Sequence, residues 1–585
     1  MIEEIVLNKP GKKVIFLGNE AIVRAALEAG VNFVSTYPGT PASEIGNLFF
    51  HLLKTKRYFG YFEFATNEKV ALESGIGASM AGRQVLVAMK NFGLNVCLDA
   101  LLPFAYTGTR GPTVIIIADD PNCHSSGQSE ENTRFLAQAA HLPILEPSDP
   151  AEARDLVKLG FQLSKKYQLP IIIRTTTRVA HQRALVRLEK FPSSAAVFPQ
   201  IKNLETTFVR NRRQWVTMPP HVLEMKKELF KKIKKIKEFS EKAKINSVES
   251  IKKSSNKLGI ITAGVAYLYV KEALKELNLN YPIFKIGFFS PLPEEKIRKF
   301  IQPLEQVLVV EELEPYLEKE VERLAKVINP KLRIFGKSLL PTIGELKPEQ
   351  VMLALLKFTK KKNKKLPISN LQLPKIKHLP RFCPGCPYWS VMAAVKRAAP
   401  AQTIFGGDIG CYMLAGLPPH QIQDYLFCMG SSIGVAHGLA KSLEKNIKKP
   451  SPKPICFIGD STFFHAGIPA LINTIFNKSH PLIIILDNGT TAMTGHQPNP
   501  GNTVRSETDY QLSWTGPTDL IPDLDEKPIA LEEIVKACGV KNVKVVNSFQ
   551  PNEIEAAVKE FLPLKEVAVI ICRGLCALLA KSLKK

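Results

Sequence analysis

Two short apolar runs, each ending in polar residues, constrain the fold more than any other feature of this chain. The run 454–458 leads into Gly459 and Asp460, and the run 481–486 leads toward Asn488, 28 residues after Asp460. Continuous apolar runs of this length are typical of buried parallel strands. Open α/β sheets bind ligands at the carboxyl edge of such strands. We therefore predict a parallel sheet that delivers an acid and an amide to one edge.

The chemistry of this edge suits a hard cation. The side chains of Asp460 and Asn488 and the carbonyl of Thr490 supply oxygen ligands, which Mg²⁺ accepts together with the phosphates of a substrate or cofactor. The alternative is that an Asp and an Asn at strand ends only form turns. The pair by itself leaves both interpretations open.

The chain of 585 residues is long enough for three or four domains. Short apolar strands alternate with amphipathic helices in 1–190, in 256–356 and in 381–585, a rhythm that predicts α/β units with parallel sheets. The basic segments 191–255 and 357–380 separate these units, and we interpret them as a helical linker or insertion and a second linker.

The formal net charge of +24 is concentrated in the lysine-rich segments. These segments are either solvated surfaces or a docking face for an acidic protein such as a small electron carrier. They do not form a recognisable nucleic-acid reading helix, so we expect no nucleic-acid partner. Apolar runs stay well short of the roughly 20 residues that span a bilayer, and the N-terminus lacks a signal-peptide pattern. We predict a cytoplasmic protein without a membrane partner.

Two motifs of the first unit are candidates for a binding role. In the Gly/Pro turn 37–41, Thr40 either presents its hydroxyl above the sheet or belongs to a purely structural loop. Glu68 begins a helix, where the helix dipole favours a carboxylate. The functional alternative is a buried glutamate that holds a proton against an aromatic ring nitrogen. Glu63 and Glu73 are nearby alternatives for that role.

Ten cysteines in an intracellular chain favour metal binding or redox chemistry over disulfides. Cys383 and Cys386 form a CxxC pair, Cys411 follows a glycine, and Cys572 and Cys576 lie near the C-terminus. Four thiolates from separate loops can hold a [4Fe–4S] cluster. A zinc site or a pair of buried thiols remains the alternative.

Taken together, the motifs resemble those of the thiamine diphosphate-dependent 2-oxoacid:ferredoxin oxidoreductases, in particular the alpha subunits of the indolepyruvate branch. The resemblance covers essentially the whole chain. It rests on the motifs YPGTP at 37–41, NEK at 67–69, CPGCP at 383–387, DIGCY at 408–412, MGSS at 429–432, GDSTFFH at 459–465 and DNGTTAM at 487–493.

This resemblance implies three doubly wound α/β domains of the thiamine diphosphate-binding type. They would be a pyrimidine-binding domain at 1–190, a transketolase-C-like domain at 256–356 and a diphosphate- and Mg²⁺-binding domain at 381–585. The implied reaction is the oxidative decarboxylation of the arylpyruvate indolepyruvate to an aryl-acetyl-CoA. Coenzyme A would be the co-substrate, and the electrons would pass to ferredoxin. A non-oxidative thiamine-dependent 2-oxoacid decarboxylase or carboligase is the alternative.

The resemblance also implies roles for individual residues. Glu68 would activate the aminopyrimidine of the cofactor, and the Mg²⁺ ligands would be Asp460, Asn488 and Thr490. The residues expected along the diphosphate are Gly430, Ser431, Ser432, Gly459 and Ser461. Thr40 would contact the cofactor or the substrate, and His124, His465 and His496 would carry protons around the oxoacid. The four expected cluster ligands are Cys383, Cys386, Cys411 and Cys576, with Cys572 as an alternative for the last.

The sequence differs from typical members of this family in two respects. It ends nine residues after Cys576, so the repeated CxxCxxCxxxCP module of two further clusters is not in it. Tyr388 and Trp389 also follow the CPGCP motif where His and Arg are common. We therefore expect electrons to leave through one cluster to a separate ferredoxin or similar acidic carrier. A beta subunit of the oxidoreductase gamma-domain type is expected as partner, giving a heterodimer or larger hetero-oligomer.

Overall fold

The computed structural model describes residues 2–125, 127–192, 197, 207–219, 221–249, 257–360, 379–443, 453–501 and 528–582. The chain divides into two compact units, Met1–Gln372 and Leu373–Lys585, and each unit contains its own hydrophobic core. The linker expected at 357–380 lies mostly outside the described residues. The segment expected as a helical insertion contains a long lysine-rich helix, His221–Lys242.

The first unit contains a seven-stranded sheet of order β12-β6-β7-β5-β4-β2-β3. All its pairings are parallel except that of β12 with β6, and β12 comes from a later part of the chain than the other strands. Its strands are β2 (Phe33–Thr36), β3 (Tyr61–Phe64), β4 (Val85–Lys90), β5 (Thr113–Asp119), β6 (Ile144–Leu145), β7 (Ile171–Thr176) and β12 (Phe288–Ser290).

A second sheet of the first unit has the order β14-β13-β10-β11-β9, and only the β11–β9 pairing is antiparallel. Its strands are β9 (Ser247–Glu249), β10 (Leu258–Ala263), β11 (Ile283–Ile286), β13 (Gln306–Val310) and β14 (Arg333–Phe335). A short antiparallel pair, β1 (Lys13–Leu17) with β8 (Arg183–Arg187), completes the strands described in this unit.

Helices cover the faces of both sheets, as crossover connections between parallel strands require. In the first unit they are α1 (Ile2–Ile5), α2 (Gly18–Ala29), α3 (Ser43–Lys54), α4 (Glu68–Met80), α5 (Asn91–Thr107), α6 (Thr133–Ala139), α7 (Pro150–Tyr167), α8 (Thr177–His181), α9 (Arg212–Trp215), α10 (His221–Lys242), α11 (Ala266–Glu276), α12 (Glu294–Ile301), α13 (Leu317–Ile328) and α14 (Pro348–Thr359).

The second unit is built on a five-stranded, entirely parallel sheet of order β15-β16-β17-β19-β18. Its strands are β15 (Phe405–Gly406), β16 (Ile455–Gly459), β17 (Leu482–Asp487), β18 (Asn542–Asn547) and β19 (Ala568–Arg573). Its helices are α15 (Tyr388–Ala398), α16 (Ser431–Leu443), α17 (Asp460–Thr462), α18 (Ile468–Phe476), α19 (Leu531–Ala537), α20 (Pro551–Phe561) and α21 (Ala577–Ser582).

The two apolar runs that opened the sequence argument are the central strands β16 and β17. All five residues of β16 are buried, as are the first five of β17, because helices cover both faces of the sheet. The predicted α/β class with parallel sheets is confirmed. Among the described residues, the structure contains no helix with the length and hydropathy needed to cross a membrane.

Candidate functional site

The carboxyl edge of β16 and β17 brings the predicted acid and amide to adjacent strand ends. Gly459 pairs with Leu486 across the two strands, so Asp460 and Asn488 follow immediately at the same edge. Asp460 begins α17, which continues through a π-helical turn, Phe463–Gly467, into α18. Both side chains are almost fully buried, 4% exposed for Asp460 and 6% for Asn488. A helix start and a strand end thus meet in one buried polar edge.

The carboxylate of Asp460 is poorly compensated in this edge. Burial, followed by the nearby carboxylate of Asp487, raises the pKa of Asp460 to about 7. Asn499 donates to Asp460 Oδ2 at 3.1 Å, while Asp487 itself pairs with Arg573 at 2.7 Å. Within the described part of the chain, no lysine, arginine or histidine forms an ion pair with Asp460. A divalent cation would supply the missing positive charge.

The segment after β17 is held in a tight turn. Thr490 N donates to Asn488 Oδ1 at 3.1 Å, and the Thr490 carbonyl accepts a bond from Ala492 N at 2.9 Å. A carbonyl oxygen has two lone pairs, so Thr490 O retains one for a metal. The turn thereby orders the two oxygen donors that follow Asp460 in the predicted ligand set.

A buried aspartate that the sequence argument did not assign organises the loop at 428–432. Asp408 accepts the backbone N–H groups of Ile409, Gly430 and Ser432 at 2.7, 2.8 and 2.9 Å. Burial raises its pKa to about 6, because its charge lies away from water. The N–H groups of Gly430 and Ser432 are thus used inside the protein, and contacts to a diphosphate would fall to other donors of this loop.

Four of the cysteines line a single pocket. Cys383, Cys386, Cys411 and Cys576 form its walls, and the pocket also contains Asn488, from the strand end described above. Its other lining residues are Arg381, Phe382, Pro387, Tyr388, Leu414, Ala492, His496, Ala577 and Leu578. Cys572 is buried in β19 and is not among them, although the sequence left it open as an alternative to Cys576. No three His, Cys, Asp or Glu side chains within the described ranges come close enough to hold one metal ion.

The backbone around these thiols is well defined. Cys386 N donates to the Cys383 carbonyl at 3.1 Å, and Gly385 has φ +76°, which together form the turn that Pro384-Gly385 favours. Trp389 Nε1 also donates to the Cys383 carbonyl, at 3.2 Å. The CxxC pair is therefore held in shape by two hydrogen bonds to one carbonyl.

Two of the partly covered thiols have pKa values raised above the usual range of a cysteine. Burial raises the pKa of Cys386 to about 11 and that of Cys411 to about 12, and the neighbouring thiols add to both shifts. The Tyr388 N–H forms a hydrogen bond to Cys386 that opposes this shift. A bound metal centre deprotonates such thiols, because metal coordination favours the thiolate.

One main-chain hydrogen bond joins the cysteine pocket to the acid–amide edge. Cys576 N donates to the Asn488 carbonyl at 3.1 Å, and Gly574 N donates to the Asp487 carbonyl at 2.9 Å. These bonds extend the parallel pairing of β17 with β19 beyond the strand ends. The two groups of candidate ligands are consequently parts of one hydrogen-bonded framework.

In the first unit, Glu68 is the first residue of α4 and is 7% exposed. Its Cγ packs so closely on Gly93 that a Cβ at position 93 would lie 2.5 Å away. Of its sequence alternatives, Glu63 accepts from Ser35 Oγ at 2.7 Å and Glu73 is exposed. Glu68 is therefore the buried carboxylate of the three.

Thr40 lies at the same end of the seven-stranded sheet. It is half-buried, and the preceding Gly39 approaches Lys90 so closely that a Cβ on Gly39 would lie 2.7 Å from Lys90 Cβ. Lys90 ends β4 and Asn91 begins α5, so the Thr40 loop and Glu68 both border the β4–α5 junction. The structure thus brings these two predicted residues to one region of the first unit.

The three predicted histidines lie in different surroundings. His124 is exposed in the loop after β5. His465 is buried in the π-helical turn, and His496 lines the cysteine pocket, where burial lowers its pKa. His124 belongs to the first unit, and the other two belong to the second, His465 in the π-helical turn and His496 in the segment after β17.

Sequence reasoning assigned no role to Asp408 or Asn499. Asp408 lies just beyond the end of β15, as Asp460 does for β16, and that shared strand-end position is the signal that could have found it. Asn499 lies 39 residues from its partner Asp460, so no local pattern points to it.

Two family models match this chain. Residues 24–245 match the model described as pyruvate flavodoxin/ferredoxin oxidoreductase, thiamine diP-binding, and residues 408–572 match the thiamine pyrophosphate enzyme, C-terminal TPP binding domain. The second match begins at Asp408 and includes the acid–amide edge.

Curated relatives are similar over nearly the whole chain. The indolepyruvate oxidoreductase subunit IorA of Pyrococcus horikoshii is 39% identical over 99% of this chain and 88% of its own length. That of Methanothermobacter thermautotrophicus is 40% identical over 99% of this chain and 89% of its own length. The 2-oxoglutarate synthase subunit KorA of Archaeoglobus fulgidus is 26% identical over 55% of this chain and 95% of its own length.

Proposed function

The chain belongs to the family of indolepyruvate oxidoreductase subunits named IorA, and from that membership we propose that it is the catalytic subunit of a thiamine diphosphate-dependent arylpyruvate oxidoreductase. Its substrate is the arylpyruvate indolepyruvate. Its product is the corresponding aryl-acetyl-CoA. The balanced reaction is 2-oxoacid anion plus coenzyme A giving acyl-CoA, CO₂, one proton and two electrons.

One observation carries this proposal: four thiols and the candidate metal ligand Asn488 line the same pocket. A decarboxylase that passes on no electrons has no use for four thiols at the edge of its cofactor site. A [4Fe–4S] cluster binds each thiolate on a different iron, and four cysteines around a pocket suit that arrangement. When bound, the cluster accepts and releases electrons one at a time.

The residues present also fit a magnesium-bound diphosphate. The buried carboxylate of Asp460 lacks a cationic partner among the described residues, and Asn488 and the Thr490 carbonyl add two neutral oxygens. In the proposal these three hold Mg²⁺, and the Ser431 and Ser461 region lies along the diphosphate. Asp408 fixes the conformation of the 428–432 loop by accepting hydrogen bonds from two of its backbone N–H groups. Thiamine diphosphate, when bound there, supplies the carbon nucleophile and electron sink.

Glu68 is proposed to hold a proton at the aminopyrimidine ring nitrogen of the cofactor. Its burial and its position at a helix start suit a carboxylate whose proton is shared with a ring nitrogen. Thr40, half-buried beside the same β4–α5 junction, orients the oxoacid or the cofactor through its hydroxyl. His465 is buried, whereas His124 is exposed. Of these two histidines, His465 is therefore the one proposed to transfer a proton near the substrate.

Partners complete the proposed enzyme. The subunit name of the relatives supports assembly with a second chain, for which a beta subunit of the gamma-domain type is proposed. The electron acceptor is proposed to be ferredoxin or a similar acidic carrier protein.

The test is anaerobic co-purification of the chain with its partner subunit, followed by assay with indolepyruvate and other 2-oxoacids. We expect thiamine diphosphate, magnesium and about four irons per chain, and dye reduction that requires both the arylpyruvate and coenzyme A. Cys386→Ser should lose the iron–sulfur absorbance, and Asp460→Ala should lose thiamine binding. Cys538→Ser serves as the control, because Cys538 lies outside the cysteine pocket.

Aldehyde formation without any acceptor, or an iron content unaffected by Cys386→Ser, contradicts the proposal. The first result would assign the chain to the non-oxidative decarboxylases. The second would remove the electron-transfer role of the cysteine pocket.

A further inference from the structure

The cysteine pocket reaches the surface of the protein at Cys383. Of its four thiols only Cys383 is exposed, whereas Cys386, Cys411 and Cys576 are partly covered. Of the lining residues, Arg381 is exposed and Leu578 is 51% exposed, and the exposed Lys581 follows Leu578 by three residues in α21. We call the surface formed by Arg381, Cys383, Leu578 and Lys581 the cysteine mouth.

The charged residues of the cysteine mouth are both positive. Arg381 lines the pocket directly, and among the described residues that line it there is no aspartate or glutamate. Lys581 lies three residues after Leu578 in α21, so the two share a helix face. The whole chain adds a background of +24 formal charges. Two cations beside an exposed apolar side chain favour an acidic protein with a small apolar contact surface.

We propose that the cysteine mouth is the docking site of an acidic one-electron carrier protein. The inference rests on the proposed function, because it takes the four thiols to hold an electron-carrying centre. It differs from the sequence analysis, which left the lysine-rich segments as either solvated surfaces or a docking face.

The buried side of the pocket explains why the carrier approaches from the mouth. There the wall is formed by Asn488 and by Tyr388, which is 3% exposed. This inner wall belongs to the framework of Asp460 and Asn488, where the electrons originate in the proposed reaction. The exposed Cys383 is the thiol that a protein surface can reach from outside.

The number of electrons released per turnover determines how many carriers must dock at the cysteine mouth. Each turnover of the oxoacid releases two electrons, and each docking event passes one electron to an oxidised carrier. Two oxidised carriers are therefore reduced per acyl-CoA, and no bond is made or broken in this step. A transient, charge-steered contact suits such repeated docking, since tight binding would slow release of the reduced carrier.

The experiment uses the anaerobic holoenzyme with its partner subunit, and a small acidic ferredoxin with a single [4Fe–4S] cluster as the probe. Arg381→Glu and Lys581→Glu are compared with Lys275→Glu, which reverses an exposed charge in the first unit. Each variant is assayed with indolepyruvate and coenzyme A, using either the ferredoxin or methyl viologen as acceptor. We expect each mouth variant to raise the KM for ferredoxin about tenfold at low salt. Methyl viologen rates should stay within about twofold of the wild type, because a small dye needs no docking surface.

A second measurement uses the unmodified enzyme. Its ferredoxin-dependent rate should fall as ionic strength rises, because screening weakens charge steering, while the dye-dependent rate stays level. A ferredoxin KM in both mouth variants equal to that of Lys275→Glu overturns the docking site while leaving the proposed function intact. A wild-type enzyme that reduces neither acceptor overturns the proposed function and the docking site with it.

Discussion

At the scale of single residues, Gly93 is decisive for the position of Glu68. A Cβ there would lie 2.5 Å from Glu68 Cγ and 3.0 Å from both Met89 Cβ and Met89 Sδ. Gly93→Ala should therefore displace the Glu68 carboxylate and lower kcat at least about tenfold, since misplacement of a catalytic group by an ångström has effects of this size. Steady-state kinetics with indolepyruvate, together with measurement of bound thiamine diphosphate, check this prediction.

Gly77 offers a matched control for that substitution. It also lies within a helix, α4, but a Cβ there would meet nothing within 4 Å. Gly77→Ala should leave kcat unchanged and stabilise the helix by about 0.5–1 kcal/mol. Equal activity losses in the two variants would contradict the role given to the Gly93–Glu68 contact.

Asp408 is the second residue whose role can be isolated. Its carboxylate accepts three backbone N–H groups, two of them from the 428–432 loop. Asp408→Asn replaces one acceptor oxygen by an NH₂ group that faces an N–H donor, a loss of about 1–3 kcal/mol. We expect weaker thiamine diphosphate binding, by about tenfold or more, measured by titration of the cofactor-free enzyme.

The iron content should distinguish this effect from general unfolding. Asp408 is not a lining residue of the cysteine pocket, so Asp408→Asn should retain its iron. Unchanged cofactor affinity would show that the loop keeps its shape without the charge.

At the scale of elements, the CxxC turn and the start of α15 hold Cys383 through Trp389. The indole Nε1 donates to the Cys383 carbonyl, and the indole ring packs at 4.9 Å from His420 and 5.6 Å from Phe382. Trp389→Phe keeps an aromatic ring but removes the donor. We expect the variant to lose iron to a chelator several-fold faster than wild type, an effect equivalent to about 1 kcal/mol.

Trp215→Phe is the control for this prediction. Trp215 Nε1 also donates to a backbone carbonyl, that of Val209, at 3.1 Å in the first unit. Removing that donor should leave the rate of iron loss at the wild-type value. Identical rates of loss in wild type and Trp389→Phe would contradict the anchoring role of the indole.

The elements that were predictable from the sequence share one property, namely a continuous pattern. The strands β16 and β17 are unbroken apolar runs, so their burial and the position of Asp460 at the carboxyl edge followed from period and length. The strand β15 has only two residues, Phe405–Gly406, and its brevity hid the equivalent position of Asp408. Short elements leave too little pattern for such an argument.

Contacts between distant segments were not predictable for a different reason. The strand β12 joins the seven-stranded sheet through β6, more than 140 residues earlier in the chain. The hydrogen bond between Asn499 and Asp460 also joins residues that are distant in sequence. The same is true of the pocket that His496 and the cysteines line together. These pairings depend on the path of the whole chain, which no local periodicity records.

At the scale of the whole molecule, the two units have separate cores, and a buried ion network lies in the first. Arg174 pairs with Asp119 at 2.8 Å and with Glu146 at 2.7 Å, and all three side chains are at most 3% exposed. Arg174→Met leaves two buried carboxylates with less compensation, at a cost of about 3–5 kcal/mol. Differential scanning calorimetry should show the transition of the first unit moving to lower temperature, with that of the second unchanged.

The surface residue Arg323 provides the comparison. It pairs with Glu320 and Glu294 but is about half exposed, so Arg323→Met should cost less than about 1 kcal/mol. If Arg174→Met lowers both transitions equally, the two units do not unfold independently, and the prediction is wrong.

The hydrogen bond from Cys576 N to the Asn488 carbonyl has a thermodynamic consequence. In the proposed holoenzyme this bond joins a magnesium ligand, Asn488, to a cluster ligand, Cys576, so we expect a ligand that orders Asn488 to order the main chain at Cys576 as well. Reciprocal linkage requires that any factor by which thiamine diphosphate raises the affinity for the proposed cluster equal the factor by which the cluster raises the affinity for thiamine diphosphate. We therefore expect maturation of the proposed holoenzyme to be cooperative: a chain that has acquired one cofactor should be the better acceptor of the other.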